Sequence, residues 1–405
     1  MEKLFTIFLI LLPVTNIYGC GIPGVSLGKL ILIVLLMGLF VQKQRFIAPS
    51  IPSFWLPFCI WVLVGPFFYL LSDWFSINDA IYKFIGVIGF WLTFGYGLKI
   101  VDFQYALKIY EKCTFLFSLI FLLQSAVFFT TGRNLVFLIP GLPLADATSI
   151  SDYLAGQSVW DRQCSVFLEP AYFAIYVGIF LCCYLSQKPE KLFSWRAFFY
   201  IAILLLIRSG NGYFCLIFLF VFFGVFRLRR IITNKKNLVS LLVLVAALSF
   251  FMYSSSQNQE FQDTFNRVSE LDADYGEGKT SGFERIYRGY YLFDDLPALS
   301  KLIGIGQGNL EAFSQEYHLK SYMNVGLGSD SLYLNGIQQV LVFSGIIGVC
   351  LLLLAILCLC RSKHAVYIIL MYVALSFMSA TYNTPNMLFL LLFATQAWAA
   401  SARKA

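Results

Sequence analysis

The sequence predicts an all-α polytopic membrane protein of about 12 transmembrane helices, with a long, partly helical extracytoplasmic loop between spans 9 and 10. Three observations carry this. Of 405 residues, 59% are hydrophobic and only 13% charged, against about 25% charged in a soluble domain. At about 20 apolar residues per crossing, that content fills about a dozen crossings and leaves little for a soluble core. The Lys and Arg residues lie in short clusters between apolar runs with no basic face or stripe, so the net charge of +7 reflects topology and not a nucleic-acid partner.

The N-terminus imitates a secretory signal, with a charged start and an apolar core. Tyr18 is too large for the small-residue cleavage pattern ahead of Gly19 and Cys20, so the run is read as a retained first span near 4–18. Further apolar runs lie near 25–41, 51–71, 80–98, 113–130, 166–186, 197–211, 212–226, 237–253, 331–360, 365–381 and 386–400. They divide the chain into a membrane bundle over 1–253 with an outer loop at 131–165, an extracytoplasmic subdomain over 254–330, and C-terminal helices over 331–405.

With both termini cytoplasmic, 18 of the 29 Lys and Arg residues fall in inside segments and nine outside, six of those nine in the long 254–330 loop. The positive-inside rule has least force in long loops, so the short-loop contrast sets the orientation. The outer face is acidic overall, and its few arginines each need a reason. Aromatic residues such as Phe261, Phe265, Tyr287, Tyr290 and Phe313 are too many for a disordered segment and predict a folded subdomain in the long loop. No internal repeat or matched pair of broken helices suggests a transporter.

Most of the ten cysteines lie within or beside apolar runs as small hydrophobes. Cys20 and Cys164 are placed to meet an oxidising compartment, either bridged or as free thiols. No spacing of Cys, His, Asp or Glu suggests a metal site, and no cofactor is implied. Lys29 and Lys83 sit near outer helix ends, where a lysine stem can snorkel, and Asp79 lies one turn before Lys83.

Several outer residues carry the functional argument. Around the sixth span the chain reads Asp161-Arg162-Gln163-Cys164-Ser165-Val166-Phe167-Leu168-Glu169-Pro170-Ala171-Tyr172-Phe173. Proline favours the first helical position, so Glu169 is expected at the helix start at the membrane boundary. Arg162, seven residues upstream, either shares a polar site with it or merely pairs with a helix-capping glutamate. The run Ala197–Ile207 is only 11 residues before Arg208-Ser209-Gly210-Asn211-Gly212, about 17 Å against a hydrocarbon core of about 30 Å. Arg208 is therefore expected below the outer surface, facing an outward water-filled cavity or snorkelling from a tight helical hairpin.

In the long loop, Ser281-Gly282-Phe283-Glu284 is a capping-box pattern that predicts a helix from about Gly282 to Asp295, stopped by Pro297. Arg285 and Arg288 would share one face. Two guanidiniums there suit phosphate oxygens, or else pair with Glu284, Asp294 or Asp295 on the loop surface. Gly304, Gly306 and Gly308 read as a turn, since no βαβ context supports a nucleotide loop. His318 is the one outer histidine, either a base or ordinary surface; His364 lies in a cytoplasmic loop.

Taken in order, these pieces resemble the O-antigen polymerase (Wzy) family within the O-antigen polymerase and ligase superfamily. Arg162 through Phe173 resembles that family's arginine, glutamate-proline and aromatic pattern at a span entrance. Arg208-Ser209-Gly210 is similar to its arginine-serine-glycine break. Ser281–Arg288, Gly304–Gly308, and Asp330-Ser331-Leu332-Tyr333-Leu334 with Gly345-Ile346-Ile347-Gly348 resemble its loop helix, glycine turn and following span. The motifs cover roughly 160–350. Ligases of the superfamily usually carry a histidine then an asparagine at the end of the long loop. Here that place reads Gly328-Ser329-Asp330-Ser331 and His318 lies twelve residues earlier, which favours a polymerase.

The resemblance implies inverting, metal-independent joining of oligosaccharide repeat units carried on polyprenyl diphosphate, at the outer face of a bacterial inner membrane. Donor and acceptor would be lipid-linked oligosaccharides, with a chain-length regulator and a flippase as further partners. Cations placed where leaving-group charge develops accelerate such a step, so Arg208, Arg285 and Arg288 are expected as diphosphate clamps. Arg162, Tyr172 and His318 are expected as further substrate contacts. Glu169 is the first candidate for general base on the acceptor hydroxyl and Asp330 the second. The alternatives are an O-antigen ligase acting on a lipid A core, or a lipid-linked oligosaccharide flippase. A flippase would need cations in a central cavity reachable from both sides and no large external subdomain.

Overall fold

The computed structural model describes residues 1–21, 25–44, 47–139, 141–144, 163–224, 287–319, 334–378 and 383–402. Its elements are α1 (Glu2–Ile10), α2 (Leu12–Thr15), α3 (Leu27–Lys43), α4 (Leu56–Val64), α5 (Ile77–Ile100), α6 (Phe103–Thr131), α7 (Pro170–Gln187), α8 (Trp195–Leu206), α9 (Gly210–Leu219), α10 (Gly289–Asp295), α11 (Ala298–Ile303), α12 (Leu310–Glu316), α13 (Gly336–Leu359), α14 (Lys363–Met378) and α15 (Pro385–Ala402). Among the described residues there is no strand, only isolated bridges pairing Tyr18 with Leu144 and Gly19 with Ser26. Helix starts follow side-chain caps: Ser26, Ser76, Asp102 and Ser194 accept from the backbone N–H of Lys29, Asp79, Tyr105 and Ala197.

Helices α5, α6, α7 and α13 have the length and apolar composition of membrane spans. Shorter apolar helices occupy Leu56–Phe67, Trp195–Leu206, Gly210–Phe223 and Lys363–Met378. Helix is present in each of the predicted apolar runs except 237–253, which lies outside the described residues. The first run packs as a core element: Leu9 and Ile10 are fully buried, and the Ile10 carbonyl accepts from the Tyr176 hydroxyl at 3.1 Å.

Helix α7 is the axis of the bundle. Inside the protein 72% of its apolar window is buried, against 28% to 44% for the other three long helices, so α7 is enclosed by protein while the others keep one apolar face outward. Helix α14 lies antiparallel to it: the Cys182 thiol reaches the Tyr367 carbonyl at 3.5 Å, and His364 Nδ1 lies 2.8 Å from the Ser186 carbonyl. Helix α6 is also antiparallel, with Tyr110 against Phe180 and Phe121 against Phe173. Helix α9 runs parallel, since Cβ atoms built at Gly212 and Gly178 would meet Ala174 and Cys215. Small residues at these crossings let the helices approach closely.

A second core joins the 287–319 segment to the bundle. Leu292, Leu296, Ile305, Phe313, Leu334 and Val342 are buried together, and Tyr69 and Trp74 from the α4–α5 connection pack against them. Helix α13 is broken at Gly345, where φ is 65° and ψ is −172°. Outside partners use the carbonyls at the break: Ile305 N–H donates to Val342, Gly306 N–H to Phe343 and Trp61 Nε1–H to Ser344, at 3.0, 3.0 and 2.8 Å. Gly304 has φ +86° and lies so close that a Cβ would sit 2.3 Å from the Phe343 carbonyl oxygen. The glycine turn is thus a backbone-on-backbone junction docked into a broken helix.

Within the described part of the long loop, residues 287–288 form a wider π-type turn leading into the α-helix Gly289–Asp295, and the expected stop at Asp295 before Pro297 holds; the expected start near Gly282 lies outside the described residues. The Ser281 capping box lies outside the described residues. Of the two states left open for Cys20 and Cys164, the structure has them unbridged, with the Cys20 thiol donating to the Val25 carbonyl at 3.0 Å and Cys164 buried.

The junction gives a direct test. Gly304→Ala adds a Cβ into the Phe343 backbone at a left-handed φ and should lower stability by about 2 kcal/mol or more. Gly86→Ala on α5, where a Cβ meets nothing within 4 Å, should be neutral or stabilise by up to about 1 kcal/mol. Thermal unfolding of the two variants in one detergent measures the contrast, and equal midpoints would refute the junction.

Candidate functional site

The helix directions gather Glu169, Tyr172, Arg208 and Arg288 at one end of the bundle. Glu169 immediately precedes the first residue of α7, Arg208 precedes the start of the parallel α9, and α14 ends there because it is antiparallel to α7. The Asn335 amide donates to the Phe377 carbonyl at 2.9 Å and so ties the start of α13 to that end. Arg288 heads α10 and is brought in by Gly289, whose missing Cβ would lie 2.6 Å from side-chain carbons of Gln338. Asn335 and Gln338 form a capping box that fixes the start of α13.

Glu169 is presented rather than consumed as a cap. Its backbone is extended, Pro170 takes the first helical position, its side chain makes no capping bond and its residue is exposed. The segment leading to it is held from α6. Buried Gln124 donates to the Leu135 carbonyl at 2.8 Å and to the Ser165 carbonyl at 2.9 Å, and accepts from Ser165 N–H at 2.7 Å. The Ser165 hydroxyl donates to the Phe117 carbonyl at 2.7 Å, with Ser165 itself at φ +58°. Sequence reasoning missed this clamp. Its one signal was a glutamine inside an apolar span, which is costly unless satisfied. Tyr172, one turn into α7, is exposed at 42%.

Arg208 sits in the turn of a tight helical hairpin between α8 and α9, one of the two arrangements that the short run Ala197–Ile207 left open. The twelve residues of α8 cover about 18 Å, well short of a bilayer core. Arg208 is half-buried and adopts φ +52°, followed by buried Ser209 and Asn211. Gly212 lets α9 turn straight back, since a Cβ there would lie 3.1 Å from the Leu204 carbonyl. A non-glycine residue in the left-handed region costs about 1–2 kcal/mol. Arg208 keeps that cost two residues before a glycine.

Arg288 is buried at 4% exposure, which disagrees with the alternative that placed it on the loop surface. Asp294, one of the carboxylates considered as its surface partner, forms an ion pair with Lys301 at 3.6 Å. His318 is exposed, with φ +47°, just past the end of α12 between exposed Tyr317 and buried Leu319. Arg162, Arg285 and Asp330 lie outside the described residues. Among the described residues no group of three or more His, Cys, Asp or Glu side chains could hold a metal. No protein-family profile and no curated protein sequence matches the chain.

The Gln124 clamp is testable apart from any activity. Gln124→Leu leaves the Ser165 backbone groups without their partner inside protein and should lower stability by about 1–3 kcal/mol. It should also speed protease cleavage between residues 163 and 169. Unchanged cleavage and unchanged unfolding would show that the clamp does not hold this segment.

Proposed function

We propose that this protein is a polytopic membrane glycosyltransferase of the O-antigen polymerase type. In this reading about 12 spans, with both termini cytoplasmic, place the Glu169 end at the outer face of a bacterial inner membrane. There it joins repeat units carried on polyprenyl diphosphate without a metal. Arg208 grips the diphosphate of the donor, together with Arg285. Arg288, buried at the same end, adds positive potential. Glu169 takes the proton of the acceptor hydroxyl as it attacks the anomeric carbon, and the lipid diphosphate leaves with the bonding pair. Asp330 is the second candidate base; Arg162, Tyr172 and His318 contact the sugars.

The observation that best supports this reading is Arg208 itself. A positively charged residue holds a left-handed backbone at the turn of a shortened hairpin, where glycine would cost less. Local strain kept by a charged side chain points from the outlier toward function. The exposed carboxylate of Glu169 at the same end supplies the complementary chemistry.

Deleting the gene should leave cells displaying single repeat units without long chains, seen as loss of the ladder on a polysaccharide gel; a surviving ladder in a strain with no second polymerase refutes the assignment. In a reconstituted assay with purified lipid-linked repeats, Arg208→Gly should be slightly more stable than the parent and at least about 100-fold less active. Arg208→Lys should also lose most activity, since a point charge lacks the planar fork. Full activity in both variants would remove Arg208 from the chemistry, and an active Glu169→Gln would remove the general base.

A further inference from the structure

At the end of the bundle opposite Glu169, a cavity of about 570 Å³ opens between the first turns of α6 and α8. Its position follows from the helix directions. The Tyr200 hydroxyl donates to the Glu111 carbonyl at 3.4 Å, and Tyr200 stacks edge-on against Phe180 in the second half of α7. The basic flanks of the sequence assign this end to the cytoplasm.

The lining is graded along the membrane normal. Lys108 and Lys112 are exposed and one helical turn apart on one face of α6. Arg196, at the start of α8, donates from Nη1 to Glu111 at 2.9 Å. Three cations against one carboxylate leave the rim with excess positive charge, carried by the two lysines. About 5 Å beyond Lys112 along α6, Phe115 meets Phe199 of α8 with ring centroids 5.6 Å apart, forming an apolar wall. Trp195, at the first position of α8, is 85% exposed, in the place that tryptophan favours at a membrane interface.

We infer that this groove binds one anionic phospholipid of the cytoplasmic leaflet, its phosphate held by Lys108 and Lys112 and an acyl chain laid against Phe115 and Phe199. Basic pockets between membrane helices on this side recognise anionic headgroups, and the volume suits a headgroup and the upper part of its chains. A free inorganic anion would satisfy the lysines yet leave the aromatic wall uncovered, whereas a lipid covers both. A zwitterionic lipid would set its own cation against the two lysines. The lipid also links α6 to α8, two helices that carry Gln124 and the Arg208 hairpin at their far ends. The site involves no glycosyl transfer and stands or falls independently of the proposed activity.

The test is native mass spectrometry of the full chain in neutral detergent with equimolar phosphatidylglycerol and phosphatidylcholine of identical acyl composition. One phosphatidylglycerol adduct should be retained with at least about tenfold preference. Lys108→Gln and Lys112→Gln should each cut that preference about fivefold. Both lysines are exposed, so either variant carries the test if the other expresses poorly. Lys363→Gln, a basic residue at the same end but outside the cavity, should leave the preference unchanged. Equal retention of the two lipids, an unchanged preference in both lysine variants, an equal effect of Lys363→Gln, or displacement by millimolar inorganic phosphate would each overturn the inference.

Discussion

Inside an apolar environment every backbone N–H and C=O must find its partner within the protein, and the organisation of this chain depends on how it meets that demand where its helices stop. Between helix ends it needs substitutes. At Gly345 the carbonyls of a broken helix are taken by Ile305, Gly306 and Trp61. At Ser165 the backbone is taken by Gln124. At Arg208 the chain closes on itself, with Arg208 N–H donating to the Leu205 carbonyl at 3.3 Å and Gly212 packed against the Leu204 carbonyl. Each break is therefore a fixed feature.

These breaks position the candidate chemistry. Glu169 lies four residues beyond the clamped Ser165, Arg208 is itself the hairpin turn, and Arg288 is brought down by the segment whose glycine turn docks into α13. Helix α7 relates the three, because its parallel and antiparallel neighbours fix which ends coincide. A side chain on a regular helix facing lipid gains no such constraint. Glu169 and Arg208, proposed for acceptor and diphosphate recognition, fall where the backbone leaves the helical pattern.

The long loop shows why part of the site was legible and part was not. Its aromatic content announced a folded unit, and Pro297 announced the end of a helix. The glycines at 304, 306 and 308 announced a turn, but not what the turn would touch. That contact requires the Phe343 carbonyl, about forty residues away, to have been freed by a break in another helix, and no local pattern encodes a pairing between two irregular segments. The burial of Arg288 was illegible for the same reason. Spacing gives a face of a helix, whereas burial depends on what packs over that face.

The sequence by itself determined that the chain is helical and apolar, where most helices begin and end, and that Glu169 opens α7 while Arg208 ends a shortened run. Those features follow from hydropathy, proline geometry and capping chemistry, all of which act over a few residues. Only the tertiary structure decided that α7 is the enclosed axis, that Gln124 holds the approach to Glu169, that Gly304 docks against Gly345, and that Lys108, Lys112 and Trp195 share a groove. Those relations join residues distant in sequence, and they arise from which helix faces bury one another, a choice made by the whole packed bundle at once.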